Sequence, residues 1–296
     1  MEAQPEKVAV LRAGTNIEAT IEKSIGLLGG LNLKRDNLVV IKPNICYPKN
    51  IDNMVITDLR ILEAVLNIVK RRTANILVVE SDSFSGTAEK RASATGVIDI
   101  VKKCGAEFLN LSRDEVEAHN VAGFTLHIPK TVLKADYFVN LPKVKTHTFV
   151  QISVAMKNMF GVLADNDKDK FHSRLADVVV YLNQTIRQDL IIADGIIAME
   201  GLGPIHGKLV NLGLIISGRN PVSVDAVCCH IAGFNPYDIE VMRKAQQLEM
   251  GEIDIEQIRI LGEKIEDVKT KLSNPYFTPK NVFAALKTGF KLYTKR

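Results

Sequence analysis

The first half of this chain alternates short apolar, β-rich runs with amphipathic segments of helical period. KVAVLR precedes a helical pattern over 17–28, NLVVIK a second over 58–71, and ANILVVES a third, VIDIVKKCG, which leads into AEFLNL. Strands joined by helices of this length build a parallel sheet through right-handed crossovers. The expected class is therefore α/β: a largely parallel or mixed sheet with helices on both faces. Residues 121–140 are strand-rich and are expected to form an inserted subdomain with antiparallel pieces. A helix over 171–187 leads to the apolar strand DLIIADG, and NLGLIISG is a further strand before a helix opened by Pro221. With 296 residues the chain can build one large domain or two intimate lobes. We expect a single α/β domain over 1–267, any second lobe starting near 120, and a basic tail helix over 268–296.

Chemistry concentrates in NLPKVKTHTFVQISVAMKNMFGVL (140–163), which sets Lys143, Lys145, His147, Lys157 and Asn158 in an otherwise core-like stretch. In an extended chain Lys143, Lys145 and His147 share a face, because side chains alternate. Three charged nitrogens on one face repel one another. A fold tolerates them beside an anion or a metal-bound group, or in open water. The preceding DYFVN reads as a buried strand, which puts the nitrogens at its C-terminal end, where open α/β sheets bind ligands. Other strand ends carry Lys42-Pro43-Asn44, then Glu80, Ser81, Asp82 and Ser83, and then Asp194-Gly195. Pro43 cannot continue a central ladder and stops its strand. Four polar strand ends imply a shared pocket.

From these residues the expected ligand-binding set is Lys42, Asn44, Asp82, Lys143, Lys145, Asn158, Gly201, Gly203 and Asp225. His147 or Lys157 would handle a proton, because burial lowers a lysine pKa. Asp194 or Glu200 would be its acid–base partner or a metal ligand. Asp225, in the first turn after Pro221, either complements the helix dipole or faces ligand. Thr57-Asp58 reads as an N-cap, with a pocket-facing role as the alternative. A divalent metal would find ligands in His147, His172 and Glu200, although no H-x-x-x-H or H-E-x-x-H sets two ligands on one face.

Several functions are excluded by pattern. In MEGLGPIHGKL five residues separate Gly201 from Gly207 and leucine follows the lysine, so this is no Walker A loop; the dinucleotide fingerprint misses by one residue. A flexible backbone able to approach an anion is what remains. Cys46, Cys104, Cys228 and Cys229 form no C-x-x-C, so no built-in iron–sulfur cluster is expected, and buried thiols are the simplest reading. There is no G-x-S-x-G elbow. The net charge of +4 includes seven basic residues and no acid from Val268 onward, so the body is slightly acidic and nucleic-acid binding is not expected. The start, MEAQPEK, lacks the apolar core of a leader, and no apolar run approaches the roughly 20 residues of a membrane span. The expected location is the cytoplasm. In the tail, Phe283, Leu286, Phe290 and Tyr293 recur at helical spacing beside Lys280, Lys287 and Lys291. Such a helix either lies on an anionic membrane, docks to a partner, or packs back on its own body.

The segments IKPN (41–44), ADYFVNLPKVKTH (135–147), AMKNMFGVL (155–163), FH (171–172), DGIIAMEGLGPIHG (194–207) and NPVSVDAV (220–227) together resemble the family known as domain of unknown function 362. Many of its members are fused to ferredoxin-type iron–sulfur modules. The resemblance implies a possible iron–sulfur protein as partner, although this chain carries no cluster motif of its own. A looser similarity, through Asp136, His147 and Lys157, is to the nickel-pincer lactate racemases. Together these readings give two expectations for function. One is an enzyme acting on a small anionic ligand, carboxylate or phosphate, by acid–base or metal-assisted chemistry. The other is a non-catalytic accessory protein to iron–sulfur or redox machinery.

Overall fold

The structure, a computed structural model, describes residues 5–276 and 278–294, with side chains except at 284 and 289–294. Twelve strands appear among them: β1 (Lys7–Arg12), β2 (Val39–Pro43), β3 (Ile76–Glu80), β4 (Glu107–Asn110), β5 (Val116–Val121), β6 (Phe124–Pro129), β7 (Tyr137–Leu141), β8 (Lys143–His147), β9 (Gln151–Ser153), β10 (Leu190–Glu200), β11 (Lys208–Gly218) and β12 (Arg259–Gly262). Ten form one sheet in the order β12-β1-β11-β10-β7-β2-β3-β4, with β8 on β10 and β9 on β8. β11 runs against β1 and β10, and β9 runs against β8. The other pairings in this sheet are parallel. β5 and β6 form a separate antiparallel pair, the small strand-rich insertion.

Alternation explains why the sheet is covered on both faces. In β2, Val40 joins one apolar cluster with Phe138 of β7, while Val39 and Ile41 join the opposite cluster with Tyr137 and Val139. The helix Leu59–Lys70 buries Ile61, Leu62, Val65, Leu66, Ile68 and Val69 as one stripe, and Asp58 caps it by accepting from the Arg60 N–H. Helix Pro221–Ala232 opens on an Asn220 cap and Pro221, and stops at Gly233, whose φ of 77° suits a residue without Cβ.

The chain leaves β2 toward β3 on one side, yet leaves β7 toward β10 on the other. The crevice beyond the carboxyl ends of β2 and β7 is therefore a topological switch point.

Some expectations shift in detail. Lys143–His147 is extended as expected, and it forms a strand of its own paired with β10. Met199 and Glu200 belong to β10 and not to a loop, because that strand shifts register between Gly195 and Ile197 and goes on to pair Glu200 with Lys208. The helix expected over 171–187 is a 3₁₀ segment, Asp169–Arg174, followed by the α-helix Leu175–Thr185. In the tail, helix Pro279–Thr294 meets the body through a polar residue: the Thr288 hydroxyl donates to the Gly207 carbonyl at 2.8 Å. Phe283 and Leu286 point outward, 72% and 69% exposed. The side chains of Phe290 and Tyr293 lie outside the described residues. Among the described residues no helix is long and apolar enough to cross a membrane.

Candidate anion-binding cleft

At the switch point lies a cleft with about 870 Å³ of open space including its mouth. Its floor comes from the end of β2. Lys42, 1% exposed, donates to Glu80 Oε2 at 2.9 Å and to the Pro43 carbonyl at 2.9 Å. Burial pulls the Lys42 pKa down, and the Glu80 carboxylate opposes that pull. The chain passes over this pair at Gly161. A Cβ there would stand 2.9 Å from Lys42 Nζ and 3.0 Å from Glu80 Oε1, so any larger residue would have to push this pair aside.

One wall is a directed row of amides. Lys145 donates to Asn44 Oδ1 at 2.9 Å, to the Val55 carbonyl at 2.9 Å and to Cys46 Sγ at 3.2 Å. Asn44 then donates to Asn158 Oδ1 (3.0 Å), Asn158 to Asn140 Oδ1 (2.7 Å), Asn140 to Gln188 Oε1 (2.7 Å) and Gln188 to Asn183 Oδ1 (2.7 Å). Asn183 ends the row on the Met156 and Val179 carbonyls, which can only accept.

The remaining cations lack compensation. Lys168 donates to Ser81 Oγ and, at 2.8 Å, to the Asp82 carbonyl, which are neutral acceptors. Arg91, 1% exposed, donates to the Ile45 and Ser81 carbonyls, and its Nε has no acceptor. Lys157, partly exposed, holds its ammonium 4.1 Å from the Phe160 ring centroid and has no hydrogen-bond acceptor among the described residues. Burial, then the charge on Lys145, lowers the Lys157 pKa to about 7. Burial likewise lowers Lys168 to about 7, although Glu80 opposes it. Five basic side chains thus line the cleft among the described residues: Lys42, Arg91, Lys145, Lys157 and Lys168. They face the buried Glu80 carboxylate and Asp169, whose carboxylate is exposed at the mouth. Among the described residues the cleft lining thus carries more basic side chains than carboxylates.

His147 and His172 complete the lining. His147 Nδ1 accepts from the Phe149 N–H at 3.1 Å, which leaves Nε2 to carry the proton. Burial, reinforced by Lys157, Lys145 and His172, holds its pKa well below the ordinary value, so the ring is neutral and offers an N–H. His172 stacks on Phe149 at 4.7 Å between centroids. Its pKa is also lowered, by burial first and Lys157 second.

The fold thus gathers Lys42, Asn44, Lys145, His147, Lys157, Asn158 and His172 from the sequence-derived set, and it places the rest elsewhere. Lys143 and Asp194 do not face the cleft: they form an ion pair of 2.7 Å, each fully buried, because strand pairing sets Lys143 beside Asp194. Asp194 also accepts from the Asp58 N–H at 2.7 Å. Glu200 does not face it either; its carboxylate accepts from the Ser273 N–H at 2.8 Å. Asp82 accepts from the Ala88 N–H and from Asn110. Asp225 accepts from the Ala155 and Met156 N–H groups at 2.7 and 3.1 Å and so anchors the helix that carries Lys157; burial raises its pKa to about 7. The Gly201 and Gly203 N–H groups are spent on the Ser273 and Gly201 carbonyls. A Cβ at Gly203 would lie 1.9 Å from the Thr146 carbonyl oxygen, so this glycine serves close packing and not an anion. His147, His172 and Glu200 do not converge, and among the described residues no three of His, Cys, Asp and Glu form a metal-holding group.

Four charged lining residues, Glu80, Arg91, Lys168 and Asp169, stayed outside the sequence-derived set. Glu80 was visible as a strand end but went unassigned. Lys168, within DNDKDK, looks like a solvated charge run. Arg91 had one usable signal: it shares a face with Ala88 and Ala92, the buried side of helix Ala88–Ala94.

Comparison with known proteins follows the same outline. The family model described as Domain of unknown function (DUF362) matches residues 39–230, the span holding every basic group of the cleft. A curated protein of Synechocystis sp., "Thylakoid-associated protein sll1697", is 25% identical over 256 residues, covering 82% of this chain and 79% of its own. Among solved structures, the lactate racemase apoprotein from Thermoanaerobacterium thermosaccharolyticum aligns with a TM-score of 0.46 at 15% identity. That alignment covers 78% of this chain and 58% of the racemase. A Thermotoga maritima protein aligns with a TM-score of 0.41 at 10% identity, covering 73% and 58%. The chain thus spans little more than half of either solved protein.

Proposed function

The chain belongs to the DUF362 family, and we propose that it is an enzyme that binds a small carboxylate or phosphate anion in the cleft and moves a proton there. The observation that carries this reading is the set of uncompensated cations: Lys157, Lys168 and the orphaned Nε of Arg91. Leaving charges buried without counter-ions is costly, and an anionic ligand offsets that cost. Lys168 and Arg91 hold the anion. Lys157, poised near neutrality, exchanges the proton, and the Nε2–H of His147 donates to a substrate oxygen. Isothermal titration calorimetry with a panel of organic acids and phosphates, with and without divalent metals, tests the reading. Binding by one class is expected; silence across the whole panel overturns it.

A second reading concerns the tail. Outward Phe283 and Leu286, together with exposed Lys280 and Lys287, suit an anionic membrane surface, and the name of the Synechocystis relative is in keeping with such a place. Flotation of the full chain on vesicles containing phosphatidylserine, against vesicles of neutral lipid, checks it. Equal flotation on both removes the electrostatic part of the reading, and no flotation on either removes it altogether.

A further inference from the structure

The lysines of this core are not equivalent in what they leave free. Lys42 is tied to Glu80 and the Pro43 carbonyl, Lys143 to Asp194, Lys145 to three acceptors and Lys168 to Ser81 and the Asp82 carbonyl. An ammonium that donates two or three hydrogen bonds has its nitrogen turned onto those acceptors and away from an incoming carbon. Lys157 has only the face of Phe160 beneath it and a cleft in front.

We propose that Lys157 is a nucleophilic amine that condenses with the carbonyl carbon of a 2-oxo acid held in the cleft, forming an iminium. This rests on the anion-binding reading above. The cations around the cleft hold the substrate carboxylate, which places the adjacent carbonyl carbon within the same confined space as the amine. The neutral Nζ attacks that carbon. The carbonyl π pair moves to oxygen, which takes a proton, giving a carbinolamine. Expulsion of the oxygen as water leaves the carbon–nitrogen double bond, and one proton from solvent balances the positive charge of the iminium. A bound carboxylate also suits the product, because the cationic nitrogen replaces the charge that Lys157 carried as an ammonium. With a pKa of about 7, Lys157 has roughly a thousandfold larger neutral fraction at pH 7 than an ordinary lysine near 10.4. The Nε2–H of His147, which lines the same cleft, donates to the oxygen that departs.

The experiment is reductive trapping. The full chain is incubated with pyruvate at neutral pH, treated with sodium borohydride, digested and mapped by mass spectrometry. A reduced adduct is expected on the Lys157 peptide at a yield far above that on the exposed Lys208. It should be absent with lactate, which has no carbonyl, and absent in Lys157→Met. Lys168→Met should lower the yield about tenfold or more by weakening the hold on the carboxylate, without moving the site of attachment. Melting curves confirm that both variants are folded. Adduct spread evenly over exposed lysines, or equal yield in Lys157→Met, overturns the proposal. Calorimetry on the same protein separates the two readings: lactate or phosphate binding without a pyruvate adduct at Lys157 sinks the covalent step alone. Absence of both binding and adduct sinks the covalent step together with the anion site.

Discussion

Lys143 and Lys157 are both lysines of the same 24-residue segment, yet the fold treats them in opposite ways. Lys143 meets Asp194 at 2.7 Å with both side chains sealed from water, and the Asp58 N–H completes the carboxylate's shell. Its charge is cancelled where it stands. Fourteen positions on, Lys157 sits above an aromatic ring among other cations, with no carboxylate to cancel it. The first arrangement holds β8 to β10. The second contributes only a contact with the Phe160 ring and keeps its ammonium on the edge of losing its proton. Buried charge alone therefore does not identify a site; the absence of a partner does.

The largest effect that would break this contrast is on stability. Lys143→Met strands the Asp194 carboxylate in the core and should cost about 3–5 kcal/mol in urea denaturation, whereas Lys143→Met with Asp194→Leu should recover much of that loss. A small cost for the single variant would erase the distinction. Lys168→Met should do the reverse. It should leave stability unchanged or improved, while weakening anion binding by about tenfold or more, measured by calorimetry. Gly161→Ala should lower stability by about 1–3 kcal/mol, since its Cβ intrudes on the Lys42–Glu80 pair.

A smaller and graded effect comes with pH. Lys157 and Lys168 are charged below about pH 7 and neutral above it, so anion affinity should fall as pH rises from 6 to 8. The unfolded chain keeps these protons up to the ordinary value of 10.5. It therefore binds more protons than the folded state between about 7 and 10.5, and these two groups make folding more favourable as pH rises through that window. In Lys157→Met with Lys168→Met the pH dependence of binding should flatten. The least effect belongs to the tail: Leu286→Ser should move stability within about ±0.5 kcal/mol, because the side chain is exposed, while reducing flotation on anionic vesicles.

What the sequence disclosed follows the range of the interactions. Alternating strand and helix patterns, the Asp58 cap and the stop at Pro43 are local, and each appears where the pattern placed it. Lys42, Asn44, Lys145, His147, Lys157 and Asn158 were legible because they crowd the ends of strands or stand in apolar surroundings where a charge is conspicuous. Asp194 was misread for the opposite reason: a strand end in the pattern is mid-strand in the fold, and β10 continues through a register shift that no local signal announces. Lys168 and Arg91 arrive from a charged loop and a short helix whose residues look solvated until long-range packing closes over them.

The row of amides from Lys145 to Asn183 has a consequence for how a guest is received. Because its far end rests on main-chain carbonyls, no amide in it can turn round without every other turning too. The wall presented to an incoming molecule has its polarity decided in advance, and reorientation is not left to the moment of arrival. The near end is fixed as well, since the Lys145 ammonium can only donate to Asn44 Oδ1 and Asn158 also donates to the Lys42 carbonyl at 3.3 Å. Even a cut at Gln188 would therefore leave the welcome at the opening intact.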